Sequence, residues 1–171
     1  VNWVIGLTKK WKPACVVADQ GYGQDRNPGL YRALKSIFWA CLYPNTRGSS
    51  RKPITSEPSF GRNPPAPGDA NPVATVDRTS SLKLLLADVK ARRIHVAPLP
   101  DNDLHTLEQH FRNIAIVLEE QDNGSMVETA QTLGADHYLH AFNYANIAMK
   151  AIKTDSIVIG SIDNPAEMVN S

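Results

Sequence analysis

The chain has 171 residues, 42% of them hydrophobic, and 18 Lys and Arg against 17 Asp and Glu leave a net charge of +1. That length suits one domain with a sizeable core. No apolar run reaches membrane-span length and no signal peptide is visible, so the expectation is a soluble, intracellular protein.

The near-neutral total conceals an asymmetry. Residues 1–93 carry 15 Lys and Arg against 6 Asp and Glu, a balance of +9, and residues 94–171 carry 3 against 11, a balance of −8. A basic half facing an acidic half suits a nucleic-acid groove beside a carboxylate metal site, although interleaved surface charges would cancel to the same total. Cys15 and Cys41 lie inside apolar segments. They read as buried thiols of a reducing compartment rather than a disulfide or metal pair. The first residue is Val1, followed at once by an apolar segment, as expected of a piece of a longer polypeptide.

In chain order, residues 2–11 read as the end of an amphipathic helix, with Val4, Ile5 and Leu7 apolar and Lys9, Lys10 and Lys12 near its end. Pro13 stops it. The β-branched run 14–18 then predicts a fully covered parallel-type strand, ending at Asp19 and the turn Gln20-Gly21-Tyr22-Gly23. Pro28 suits the first turn of a helix over 29–36, and 37–43 reads as a second buried strand. Between 44 and 72 stand seven of the 12 prolines together with Arg47, Arg51, Lys52 and Arg62. This is expected to be a long Pro-rich basic loop, a mobile flap.

Order resumes at Asp77-Arg78-Thr79, a capping segment ahead of a helix over 82–92. A short strand is expected over 94–97, then a short helix through Leu104, Leu107 and Glu108. Residues 114–118 and 126–129 flank Asp122-Asn123-Gly124, the pattern of a β-hairpin. A last helix covers about 135–152, followed by a polar tail, 152–171, with one short strand over 157–159. The alternation predicts an α/β domain with a mixed sheet flanked by helices.

Two carboxylates stand at element ends: Asp19 at the carboxyl end of a parallel-type strand, and Asp136 in the first turn of the last helix. Asp136 and His140 are four residues apart and share a helix face, with Asn143 and Tyr144 one turn further on. Such a pair suits a divalent cation. The plainer alternative is that Asp136 caps its helix and that His137 or His140 is an ordinary polar residue. The Gly21-Tyr22-Gly23 turn could also cradle a phosphate, but it has neither a third glycine nor a P-loop lysine, and Asp19 would repel the anion unless a metal lay between them.

The segments Val16-Val17-Ala18-Asp19-Gln20-Gly21-Tyr22-Gly23 and Val76-Asp77-Arg78-Thr79 resemble the nuclease domain of tailed-bacteriophage terminase large subunits. So, above all, does Ala135-Asp136-His137-Tyr138-Leu139-His140-Ala141-Phe142-Asn143-Tyr144-Ala145. The resemblance covers residues 1–151. It implies an RNase H-like fold and an endonuclease that cuts concatemeric viral DNA. By motif position Asp19 and Asp136 would be the family's second and third acidic residues, both catalytic and metal-binding. The first acidic residue would precede Val1, and no ATPase motif is present.

Mg²⁺ or Mn²⁺ is implied as cofactor, with two cations about 4 Å apart activating water and stabilising the leaving 3′ oxygen. His140 or His137 would be a further ligand or a supporting partner. Arg47, Arg51, Lys52, Arg62 and Arg78 would contact DNA phosphates. The implied partners are double-stranded viral DNA, the terminase ATPase domain, the small terminase subunit and the portal, in the cytoplasm of an infected bacterium, with no membrane. Because the first acidic residue is absent, the alternative is a non-catalytic DNA-binding or assembly module. A nucleotide-binding domain built on the Gly21 turn is a weaker third reading.

Overall fold

The computed structural model describes residues 1–21, 23, 25–44, 58–61 and 72–159, with side chains described as far as residue 152. Tyr22 of the glycine turn, Arg47, Arg51, Lys52 and Arg62 of the expected loop, and the tail beyond residue 159 lie outside these residues.

The domain is mixed α/β. Helix α1, Asn2–Trp11, leads to strand β1, Val16–Asp19, which is followed by α2, Asn27–Leu34, and a 3₁₀ turn, Lys35–Ile37. Strand β2 is Phe38–Leu42; β3, Ser59–Gly61, and β4, Val73–Thr75, follow. Next come α3, Arg78–Lys90, α4, Asp101–Arg112, the hairpin strands β5, Ile114–Glu120, and β6, Met126–Thr132, and finally α5, His137–Ile159.

The four-stranded sheet has the order β1-β2-β4-β3. Its first three strands are parallel, with Val16 opposite Phe38 and Ala40 opposite Val73. Strand β3 returns antiparallel to β4, which makes the sheet mixed. Its Phe60 ring meets Trp39 edge-on at 5.2 Å. The hairpin β5–β6 is a separate two-stranded sheet, with Ile114 opposite Thr132. Gly124 turns it at φ 78°, a left-handed conformation that glycine adopts at no steric cost.

Several expectations change. Strand β1 is an edge strand among the described residues, and all four of its residues are only half-buried, so it is parallel but not fully covered. Residues 94–97 form no strand. Ile94 packs instead on the apolar cluster under α3, and Pro98 and Pro100 offer no N–H to a ladder. The tail strand over 157–159 is also absent, because α5 continues to Ile159. Helix α3 starts at Arg78 rather than 82, since Asp77 accepts from Ser80 N at 2.7 Å and caps it there. Helix α2 starts at Asn27 rather than 29 and ends at Leu34. Strand β6 continues to Thr132, three residues beyond the expected end, and β3 and β4 were not expected at all. No described helix is long and apolar enough to cross a membrane.

Three apolar clusters hold these elements. Leu30, Leu34, Phe38 and Ala40 join α2 to the sheet. Cys41, Ala74, Val76 and Ile147 join the sheet to α5. Leu82, Leu85, Ile114, Ala130 and Leu139 join α3, the hairpin and α5. Leu139 is fully buried and sits between Asp136 and His140 in sequence, so its packing fixes how that helix turn faces its neighbours. Truncating it leaves a cavity that close-packed neighbours fill only in part. Leu139→Ala is expected to lower unfolding free energy by about 2–5 kcal/mol in urea titrations followed by circular dichroism. A loss well under about 1 kcal/mol would show that this cluster does not anchor α5.

Candidate functional site

Parallel strands bring their carboxyl ends to one edge of a sheet, and loops leaving that edge gather their side chains there. Asp19 ends β1, Tyr43 follows β2, and Arg78 opens the helix after β4. Asp136 immediately precedes helix α5, which adds His137, His140 and Tyr144, and the end of β6 adds Thr132. Together these eight side chains line one pocket of about 800 Å³. That is within the range of ligand-sized clefts.

Local chemistry holds Asp19 in place. Past the strand, the N–H of Gln20 donates to Cys41 O at 2.8 Å and extends the parallel ladder. The buried Asn27 amide then donates to Asp19 O and to Gln20 Oε1, each at 3.0 Å. This requires glycine at 23, because a Cβ there would lie 2.2 Å from Asp19 O and 2.8 Å from Asn27 Oδ1. The close approach at Gly23 is thus taken up by Asn27. Tyr144 completes the arrangement by donating its hydroxyl to Asp19 Oδ1 at 3.1 Å.

Asp136 is 9% exposed. It does not spend its carboxylate on capping α5; the N–H of Tyr138 goes to His110 Nδ1 at 3.1 Å instead. Its Oδ2 accepts from the Thr132 hydroxyl at 3.0 Å, and lies 3.3 Å from His140 Nε2 and 3.7 Å from Arg78 Nη2. Arg78 in turn donates to Ala130 O at 3.1 Å and to Thr132 Oγ1 at 3.0 Å, and its Nη2 is 3.3 Å from His140 Nε2.

Asn143, expected on this face, is fully buried one step behind it. It donates to Tyr43 OH at 2.8 Å and to Ser81 Oγ at 3.0 Å. Tyr43 and Tyr144 stack with ring centroids 6.0 Å apart. Among the described residues, His140 Nδ1 and Asn143 Oδ1 are buried without a hydrogen-bond partner. Buried polar atoms left unsatisfied concentrate strain, and both lie on the turns of α5 nearest the pocket.

Burial sets the ionisation of the pocket. It pushes the Cys41 thiol up to about 12, against a smaller opposing effect of the Tyr43 hydrogen bond. Burial also drives the phenols of Tyr43 and Tyr144 upward, so both remain hydroxyl donors. The imidazole of His140 goes the other way. Burial favours its neutral form, Asp136 opposes this, and the Arg78 charge reinforces it, for a net lowering. A neutral imidazole can serve as a metal ligand or accept a proton.

Of the residues singled out from sequence, Asp19, Asp136, His140 and Arg78 converge on this pocket. Tyr43, Thr132 and Asn27 were missed as site or supporting residues. Tyr43 carried no signal beyond the end of an apolar strand. Thr132 lay past the expected hairpin end, and Asn27 was hidden by the turn residues around it. No protein-family model, curated protein or solved structure matches the chain.

The lowered His140 value makes stability depend on pH. Above about 6.5, the ordinary value, folded and unfolded chains both hold it neutral and its contribution is fully present. As pH falls below that value the unfolded chain takes up a proton that the folded chain refuses, so stability declines until the folded value is passed. Urea unfolding of the cation-free protein at pH 7, 6 and 5 is expected to show this decline, and His140→Gln to flatten it. Parallel pH curves for the two proteins would contradict the assignment.

Proposed function

We propose that this pocket binds a divalent cation and hydrolyses DNA phosphodiester bonds, as a nuclease of the terminase large-subunit kind on an RNase H-like fold. The observation that carries the reading is the convergence of Asp19 and Asp136, far apart in sequence, on one pocket with His140 and Arg78. Two carboxylates and an imidazole are donors that Mg²⁺ or Mn²⁺ accepts, with the imidazole favouring Mn²⁺. Among the described residues no three His, Cys, Asp or Glu side chains converge tightly enough to enclose a metal. The donor set therefore fits a cation held by one or two carboxylates, with water and substrate phosphate completing its shell, as is usual for Mg²⁺.

Asp19 and Asp136 would hold the cation, which when bound supplies Lewis acidity and a more acidic water. Thr132 orients the Asp136 carboxylate and Tyr144 that of Asp19. His140, kept neutral by burial and 3.3 Å from Asp136 Oδ2, would serve as a third donor or as an acceptor for the proton of the attacking water. Arg78, about one-third exposed, presents a planar fork suited to phosphate. On this reading the ATPase domain, small subunit and portal are partners in a packaging machine.

The test is nicking of supercoiled plasmid by the protein. Cleavage is expected with Mn²⁺ or Mg²⁺, none with chelator, and a loss of about 100-fold or more in Asp136→Ala and Asp19→Asn. DNA retained in chelator with no cleavage under either metal would replace this reading with the non-catalytic DNA-binding one. Binding should also weaken with salt through phosphate contacts. Neutralising Arg47, Arg51, Lys52 or Arg62 singly to Gln is expected to lower the slope of log affinity against log salt by about one each. Unchanged slopes would remove the basic loop from the interface.

A further inference from the structure

Arg78 stands where a cation near Asp136 would be repelled. Its guanidinium is anchored at Ala130 O and Thr132 Oγ1, at 3.1 and 3.0 Å, and reaches Asp136 Oδ2 only at 3.7 Å. The Asp136 contact is thus the loosest of these three, and the side chain of Arg78 is 34% exposed against 12% for that of Asp136. A buried carboxylate needs a positive partner, and here the more exposed, longer-armed member of the pair supplies it. A guanidinium and a divalent cation competing for the same Asp136 oxygen, Oδ2, repel each other in a partly desolvated pocket.

We propose, building on the metal-dependent reading above, that Arg78 is the resident counter-ion of Asp136 and that a divalent cation binds there by displacing it. The donation from Nη1 to Ala130 O serves as a pivot, because the five N–H donors of a guanidinium let one arm stay while the other leaves. The released Nη2 arm turns to the phosphodiester of the substrate. Arg78 thereby weakens cation binding in the absence of DNA, so that the site loads fully only where a phosphate can take the guanidinium. Thr132 remains with Asp136 throughout and keeps the carboxylate aimed.

A neighbouring positive charge opposes a divalent cation at the same carboxylate, and removing it relieves that repulsion. Titration of the DNA-free protein with Mn²⁺ by calorimetry is therefore expected to give about tenfold or tighter binding in Arg78→Met than in the wild type. Arg78→Lys, which keeps the charge, should stay near the wild-type value, and Asp136→Asn should abolish binding. Equal or weaker Mn²⁺ binding in Arg78→Met, with the wild type binding, would overturn the counter-ion role while leaving the metal site standing. Absence of Mn²⁺ binding in the wild type and Arg78→Met alike would overturn the metal site itself, and this inference with it. A measurement that needs no variant guards against misfolding: in ¹⁵N-arginine-labelled wild type, the Arg78 guanidinium resonance should shift on Mg²⁺ addition and saturate with the binding curve. A resonance unmoved at saturation would sink the displacement.

Discussion

A carboxylate taken out of water must be met by positive charge or by hydrogen bonds, and the burial of Asp136 is the constraint on which the pocket depends. Three elements meet it at once: Thr132 from the hairpin, His140 from the same helix and Arg78 from the start of α3. Arg78 makes this possible because it is itself fixed to the hairpin backbone at Ala130. The neighbouring Thr79 adds a second tie by accepting from Ala130 N at 3.0 Å. The separate two-stranded sheet is therefore bound to the first turn of α3, and the same contacts that dock it also balance the charge.

Helix α5 serves two environments through one spacing. Asp136, His140 and Tyr144 recur every four residues and face the pocket. Leu139, Asn143 and Ile147 recur with the same spacing one residue earlier and are buried. Asn143 is the polar member of that inner row. Its bonds to Tyr43 and Ser81 tie the helix to the end of β2 and to α3, so it positions the aromatic wall without facing solvent. His110 has a comparable effect at the helix start. By accepting the N–H of Tyr138 it leaves the Asp136 carboxylate to the pocket, where an aspartate at that position would ordinarily act as cap.

The sheet supplies the rest by direction alone. With β1, β2 and β4 parallel, Asp19, Tyr43 and Arg78 emerge at the same edge. No single strand holds more than one of them. The glycine at 23 and the amide of Asn27 then stop the chain from carrying Asp19 away from that edge. Seven of the eight side chains lining the pocket are ionisable, and burial sets the states of three of them, lowering the imidazole of His140 and raising the phenols of Tyr43 and Tyr144.

Periodicity and local chemistry were enough for much of this. The helix ending before Pro13, the strand ending at Asp19, the Asp77 cap, the hairpin about Gly124 and the shared face of Asp136 and His140 all follow from short-range rules, because caps, turns and helical spacing involve residues within four of one another. The short strands β3 and β4 were illegible, since three residues carry no period and gain their identity only from pairing with a neighbour. The strand expected over 94–97 failed for the converse reason: an apolar run without a partner strand forms no ladder, and only its Ile94 finds a cluster to pack on. Residue types and spacing thus determined which side chains were candidates. Only tertiary structure decided that Arg78 faces Asp136, that His110 relieves it of capping, and that Tyr43 and Thr132 join the wall. Each of these depends on segments distant along the chain meeting in space, and a solitary sequence records no distances between them.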